Sequence, residues 1–545
     1  MASKSNSGNF LRQGSILAAT SILVRLIGML YRIPLANIIG DEGNGIYSPA
    51  YEVYSLLLIL SSNAMPLAVS KMVSEKMAKR KYQETKKVFK CSLIFASCTG
   101  GICALFLFFG ADFLERVFYS KLAGINIPFK ILAPTIFIVA ILGVLRGFFE
   151  GNKTMIPTAF SQVIEQIVNA FISVYAAYMF IYLHSASPYV SAWGAAGGTM
   201  GTCIGAFSAL IIMILLYILF GPYFIKLFKK DKRKHVLDTI SIFKLVIVTV
   251  TPIILSQTVY QLSGTIDTIL FNKFMDIRDI NVIDIKKMLG IYSTDYRLLV
   301  NVPIAISTAI CSSMIPSLVR AYVNKEKDII ESSISLAIKF NMIIAIPSAF
   351  GLAILGKPIL QLIFSNTDIN MGSIMLMTGS SCIIFYSLST VTSGVLQSVN
   401  KMRVPVINAA ISLVLHIILV ILLIAFTGLG PYALVVGNVT YPLVVCILNA
   451  FSLKKYIGFK QEIKNTFIAP ILVSVGMSVV TIIVCYGLIA ITHKTVIGVL
   501  IGVMVAVTLY FVGILKSKCL TKDELFQFPY GRTMYTIAVR FKLMK

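Results

Sequence analysis

Apolar stretches long enough to cross a lipid bilayer recur from the first dozen positions almost to the end of this 545-residue chain. A hydrocarbon core of about 30 Å takes about 20 residues of helix. Fourteen such stretches can be drawn, at roughly 12–38, 46–70, 88–110, 129–150, 156–182, 190–220, 241–270, 291–319, 332–356, 373–397, 404–427, 430–453, 466–491 and 495–515. Within hydrocarbon, backbone groups must be satisfied inside the segment, which leaves helices as the only solution for spans of this length. The expected fold is therefore an all-α integral membrane bundle of about 14 helices. Only 13% of the residues are charged, about half the share of a soluble domain.

The net charge of +25 raises the question of a nucleic-acid partner, and the placement of the basic residues answers it. They sit in short connectors, not on one soluble face: Lys71 to Lys90, Lys226 to Lys234, Arg320 to Lys327, Lys454 to Lys464, and the tail after Lys516. With the N-terminus in the cytoplasm these all fall on one side, which is the positive-inside pattern. Both termini are expected in the cytoplasm of a bacterial cell, with the chain in the plasma membrane and no nucleic acid bound. Lys4 and Arg12 precede a first apolar segment interrupted by Arg25 and Arg32 and lacking a small-residue cleavage site, so that segment reads as a span that stays attached. The outer connector 271–290 breaks the charge rule with Lys273, Arg278, Lys286 and Lys287, nearly offset by Asp276, Asp279 and Asp284. It reads as an interfacial helix or as a lid over an outward opening. No connector has room for a soluble catalytic domain, and no enzyme activity is expected. The nine cysteines lie almost entirely in apolar stretches without CxxC spacing, and the four histidines are scattered. They point to packing, with no metal or other cofactor.

An internal repeat organises the spans. GFFEGNKTMIP, from Gly147 to Pro157, is echoed by GVLQSVNKMRVP, from Gly394 to Pro405, and MPLAVSK from Met65 by IPSLVR from Ile315, both at an offset of about 250 residues. Six spans per unit preserve orientation, so two parallel six-helix lobes around a shared cavity are expected. The divisions fall at 1–240 for an N-lobe, 241–465 for a C-lobe, 466–515 for two extra helices and 516–545 for a basic cytoplasmic tail.

Charges within the spans carry most of the functional information, since an ionisable group at the bilayer centre costs a few kcal/mol and needs a partner or a wet cavity. Arg25 lies roughly 20 Å into the first span, too deep for easy snorkelling. Arg32 follows two turns later on the same face, where it lines the cavity or reaches the headgroups. Arg297 enters from the other half at a similar expected depth. Guanidinium forks at these three positions suit the oxygens of an anionic diphosphate. Asp295 or Glu52 could instead serve as structural counter-ions. Gln162, Glu165, Gln166 and Asn169 form a polar stripe on the fifth span that faces either a cavity or a neighbouring helix. Asp267 and Lys244 read as interfacial, Arg146 and Glu150 as an i,i+4 pair at a helix end. Coupling-ion roles stay open for Glu52, Glu165 and Asp267, and Asp295 joins the candidates as ion-coupling or counter-ion residue.

LVRLIGMLYRIPLANIIGDEGNGIY in the first span, RGFFEGNKTMIPTAFSQVIEQIVNA across the fourth and fifth, and TDYRLLVNVPIAISTAICSSMIPSLV in the eighth resemble the polysaccharide-export branch of the multidrug/oligosaccharidyl-lipid/polysaccharide exporter superfamily. Within it the chain is most similar to stage V sporulation protein B-like proteins of Gram-positive bacteria and to lipid II flippases. The resemblance covers nearly the whole chain. It implies a V-shaped pair of lobes around a cationic cavity, alternating access, and a lipid-linked sugar diphosphate as cargo, with the last two spans forming a groove for the polyprenyl tail. The cavity arginines of lipid II flippases correspond to Arg25, Arg32 and Arg297. A second-span arginine of Gram-negative members is replaced here by LLLIL, residues 56–60, which points to a differently held headgroup. The expected function is a flippase carrying a polyprenyl-diphosphate-linked cell-wall precursor, lipid II first, from the inner to the outer leaflet. Another lipid-linked glycan, a multidrug or cation antiporter of the same fold, and a non-transporting sporulation or division scaffold are the alternatives. Membrane lipids and cell-wall synthesis enzymes are the expected partners of a monomeric chain.

Overall fold

The computed structural model describes residues 20, 23–152, 154–231, 237–324, 326–364, 367–517, 519–520, 522–526, 535–536 and 539–540. Lys4, Arg12, His235 and most of the tail after Lys516 lie outside the described residues. The described chain is helical throughout, without strands. Ten of its helices are long and apolar enough to cross a membrane, or eleven if the bent pair Ile369–Gly379 and Cys382–Ser398 is one span. The first of the ten, Leu23–Ala78, joins two of the expected spans in one helical run of 56 residues, too long for one crossing of about 30 Å.

The chain divides into two compact units, residues 1–290 and 291–545, each described by itself below.

In the first unit, α1 (Arg32–Ser61) is followed by α2 (Met65–Ala78), α3 (Tyr82–Phe118), α4 (Asn126–Gly151), α5 (Ile156–Leu183), α6 (Val190–Lys229), α7 (Thr239–Ile277) and α8 (Val282–Ile291). Helical residues 23–30 lead into α1, which breaks at Gly40, where φ is 65° and only glycine sits without strain. Helices in lipid gain no hydrophobic energy by meeting, so their contact depends on close backbone approach. The run GAAGGTMGTCIGA of α6 supplies it: a Cβ at Gly197, Gly201 or Gly205 would collide with the backbone of α5 at Ala177, Ser173 or Glu165. Gly147 and Gly151, the glycines of the first repeat motif, press in the same way on Pro66 to Val73 of α2. α3 and α6, at 37 and 40 residues, outrun the hydrocarbon. Their basic ends are tied by Gln83, whose side chain donates to the Phe228 carbonyl (2.8 Å) and whose backbone N–H donates to Asp231 (3.0 Å). Lys76 and Glu84 form a buried ion pair at 2.8 Å in the same region.

Connector 271–290 packs one face onto the first unit and leaves Ile277, Ile283, Asp284 and Lys287 exposed. α7 continues to Ile277, and α8 packs into the first unit with Ile285 and Leu289 fully buried. Lys286 is buried too, and its ammonium donates to the Ala123 carbonyl at 3.4 Å. Burial lowers its pKa below the usual lysine range, opposed by Glu42 and Glu115. α8 crosses α1 with two reciprocal glycine contacts, Gly45 on the Lys286 backbone and Gly290 on the Asp41 backbone. Lys286, 7% exposed, is thus held by protein, while Arg278 and Lys287 stay exposed.

The second unit opens with a π-helical stretch, Tyr292–Leu298, continuous with α9 (Leu299–Val323). There follow α10 (Lys327–Ile363), α11 (Ile369–Gly379), α12 (Cys382–Ser398), α13 (Arg403–Phe426), α14 (Tyr432–Ile457), α15 (Ala469–Thr492), α16 (Thr495–Lys516) and α17 (Lys522–Phe526). α11 and α12 meet at 47°. The two copies of the longer repeat motif share the Pro in the first turn of the following helix, Pro157 of α5 and Pro405 of α13, but differ at Asn: Asn152 caps α4 with φ −84°, and Asn400 follows α12 in the left-handed region with φ 62°. Part of the tail packs: Cys519, Leu520 and Leu525 join Phe340 of α10 and Tyr510 and Leu515 of α16 in one apolar cluster. Lys339, 5% exposed, holds this end with Glu524 at 2.7 Å and Glu462 at 3.7 Å.

Valine at Gly45 or at Gly290 forces α8 off α1. Overpacking of this kind costs about 1–3 kcal/mol or more, so each variant should melt at a lower temperature in detergent than a Gly221→Val control, whose site is open.

Candidate functional site

In the first unit Arg32 is set among aromatic and polar side chains, whereas Arg25 is not buried. Tyr47, Tyr51 and Tyr54 sit at i, i+4 and i+7 on one face of α1, their rings 5.8 and 5.3 Å apart in sequence order. The Arg32 guanidinium lies 4.5 Å from the Tyr47 ring centroid, half-buried. Such a contact contributes about 0.5–2 kcal/mol and shields the charge from hydrocarbon. Arg25, two turns earlier, is exposed.

The polar stripe of α5 meets helices of its own unit. Asn169 donates to the Tyr31 hydroxyl at 3.3 Å and accepts from Ser173 at 2.9 Å. Gln166 packs where a Cβ of Gly28 would stand. Glu165 takes the Arg146 guanidinium at 2.6 Å, and Arg146 also donates to Ser161 at 3.0 Å. Gln162 carries a buried amide oxygen without a hydrogen-bond partner among the described residues. Arg146 therefore pairs across to α5, not along its own helix with Glu150. The α4–α5 contact brings the Glu165 carboxylate within reach of the guanidinium.

Glu52, on the other face of α1, is 6% exposed and accepts from the Thr268 hydroxyl of α7 at 3.1 Å. Asp267 beside it is 4% exposed. The interfacial position expected for Asp267 is replaced by burial, because α7 runs on to Ile277 and carries the residue away from the helix end. Lys244 is exposed as expected.

In the second unit, Arg297 is half-buried on the π-helical stretch, 5.8 Å from the Tyr292 ring centroid. Tyr292 accepts from Asn438 at 3.3 Å, and Tyr296 donates to the Gly379 carbonyl at 3.1 Å. Asp295, 1% exposed, accepts from Thr367 at 2.6 Å. π-helical turns inside α-helices concentrate at functional sites, since the extra residue re-aims the side chains that follow. Tyr31–Arg32 and Tyr296–Arg297 share a plan: the tyrosine bonds to a neighbouring helix of its own unit and the arginine lies over a second tyrosine. The dipeptide was visible in the sequence, and the tyrosine ladder could have been found by its spacing.

A network missed by the sequence reading joins α12, α13 and α14: Asn449 donates to Thr392 and Ser393, both at 3.0 Å, and accepts from Asn408 at 2.8 Å. Its members are single polar residues on separate helices, without a local pattern. His416 is buried with Nδ1 3.1 Å from the Gly437 carbonyl. No cluster of three or more metal-ligating side chains occurs among the described residues.

Arg146→Ala should cost about 1.5–3 kcal/mol by stranding Glu165, the scale of a hydrogen bond to a charged group. Arg146→Ala with Glu165→Ala should cost less than the sum of the two single changes, and Glu150→Ala, whose carboxyl feels the Arg146 charge without pairing to it, should couple to Arg146 more weakly in the same double-mutant cycle.

The Polysaccharide biosynthesis protein family matches residues 10–322, more than half of the chain, and the MatE family matches 297–422. Stage V sporulation protein B of Bacillus subtilis (strain 168) is 25% identical over 536 residues, covering 95% of this chain and 98% of that protein. Lipid II flippase MurJ of the same organism is 25% identical over 422 residues, covering 76% and 77%. Among solved structures, an inward closed conformation of lipid II flippase MurJ superposes with a TM-score of 0.63 at 17% identity, covering 90% and 97%. An inward-facing multidrug resistance MATE family transporter of the MOP superfamily superposes with 0.62 at 15% identity, covering 79% and 96%. The superposed structures give the fold, and MurJ and the MATE protein are by name a flippase and a transporter, not enzymes. The chain belongs to the Polysaccharide biosynthesis protein family.

Proposed function

We propose that this multi-pass membrane protein is a flippase for a polyprenyl-diphosphate-linked cell-wall precursor, with lipid II as the leading cargo. A flippase of a lipid-linked precursor, or a transporter of the MOP superfamily, is the coarser description its relatives support. The observation that carries the finer reading is the pair of half-buried arginines, Arg32 and Arg297, each over a tyrosine ring in an apolar bundle. An antiporter for cations would be expected to gather acids at such positions. Guanidinium forks match diphosphate oxygens, and with Arg25 they form the proposed headgroup contacts.

The cycle is alternating access without covalent chemistry, from the cytoplasmic to the outer leaflet, with both termini cytoplasmic and two six-helix lobes. Glu52, Asp267 and Asp295 are the proposed coupling-ion or counter-ion residues. A membrane potential of 100 mV supplies about 2.3 kcal/mol per charge moved, enough to bias the cycle. The full-length match to stage V sporulation protein B favours one second reading, another lipid-linked glycan as cargo.

The test depletes the native lipid II flippase in a Gram-positive host, expresses this chain, and measures outer-leaflet lipid II. Rescue is expected, and Arg25→Ala or Arg297→Ala should abolish it at unchanged protein level, whereas Arg146→Ala should lower the level. Outer-leaflet lipid II that stays absent beside abundant protein would remove lipid II as the cargo.

A further inference from the structure

Two cavities in the second unit share Phe459 and Lys460. One, of about 500 Å³, is apolar, with walls from Ile338, Leu388, Ile447 and Phe467, and is also lined by Lys454 and Lys460. The other, of about 470 Å³, is lined by Glu331, Ser332 and Ser335 of α10 and by Gly458, Phe459 and Lys460. Each has the size of a small-ligand site, about 300–1,000 Å³.

The local chain explains the juxtaposition. α14 ends at Gly458 in the left-handed conformation, φ 77°. That turn drives Phe459 inward to 7% exposure and leaves Lys460 exposed beside it. Ile447 lies two turns before Lys454, roughly 10 Å along α14. The apolar compartment therefore has its lysines toward one end and reaches away from them along the helix.

We infer that this double cavity binds a phosphatidylglycerol-type phospholipid. One acyl chain lies in the apolar compartment, the phosphodiester meets Lys454 and Lys460, and the glycerol hydroxyls meet Ser332, Ser335 and Glu331. Charge selects this class. Two lysines against one glutamate leave a net +1, which a monoanionic headgroup neutralises, while a zwitterionic headgroup leaves the charge standing. A polyprenyl monophosphate fills the apolar compartment and its phosphate can meet the lysines, but it carries no hydroxyl-bearing headgroup to donate to Glu331 and brings a terminal phosphate of up to two negative charges toward that carboxylate. The inference is independent of the proposed cargo, since Arg25, Arg32 and Arg297 line neither cavity.

Native mass spectrometry of the full chain in detergent tests it, with phosphatidylglycerol, phosphatidylethanolamine, phosphatidylcholine and undecaprenyl phosphate as separate probes. Phosphatidylglycerol should be retained best. Lys454→Gln and Lys460→Gln should each weaken its binding by roughly fivefold, the worth of one basic residue facing an anionic lipid, with no change in thermal midpoint in lipid-free detergent. Ala450→Trp, which fills the apolar compartment with both lysines in place, should also lose it. Equal retention of phosphatidylglycerol and phosphatidylcholine, retention untouched by either lysine change, or preference for undecaprenyl phosphate would each overturn the inference. Both lysines are exposed, so their variants report on the site without disturbing the packing.

Discussion

Lipid removes the usual reason for helices to associate. Tails are as apolar as leucine side chains, so the bundle depends on how closely backbones can approach and on the few polar groups able to bond across them. In the first unit that condition is met by the small-residue run of α6 against α5 and by the glycines of α4 against α2. The large side chains these helices do carry are left to face outward: Phe171, Tyr175, Tyr178 and Tyr182 of α5 are all more than half exposed, on the side opposite Asn169 and Ser173. Close approach on one face and bulk on the other fix how α5 is turned, and with it which way the stripe of Gln162, Glu165, Gln166 and Asn169 points.

Charge is then placed within the limits that packing sets. Three solutions appear. Arg146 is matched to a carboxylate on the neighbouring helix, the arrangement that leaves the least uncompensated charge. Lys339 gathers two carboxylates from segments far apart in sequence and so ties the last helices to α10. Arg32 and Arg297 are covered by tyrosine rings, which screen a cation from hydrocarbon without neutralising it. The tyrosine face marks the two arginines proposed to meet cargo, whereas Arg146 and Lys339 tie helices together through carboxylates.

The long repeat motif illustrates what a sequence pattern can stand for. Its Gly, Asn and Pro positions suggested common ancestry of two halves; in the structure Pro157 and Pro405 each open a helix, Gly147 makes a close helix contact, and Asn400 takes a left-handed turn. Residues 271–290 show the opposite case. Their charge balance and apolar content describe an amphipathic helix equally well whether its apolar face meets lipid or protein, and Lys286 is buried because Gly45 and Gly290 let α8 sink onto α1.

By itself the sequence determined the helical class, the approximate location of the spans, and the residues that could not be left in lipid without company. Those properties follow from length, hydropathy and the cost of desolvating charge, all of which are local. Only the tertiary structure decided the company: Glu165 and not Glu150 for Arg146, Tyr47 for Arg32, Thr268 for Glu52, and burial for Asp267. These choices depend on helix rotation and on contacts between residues up to 216 positions apart, and no local period encodes them.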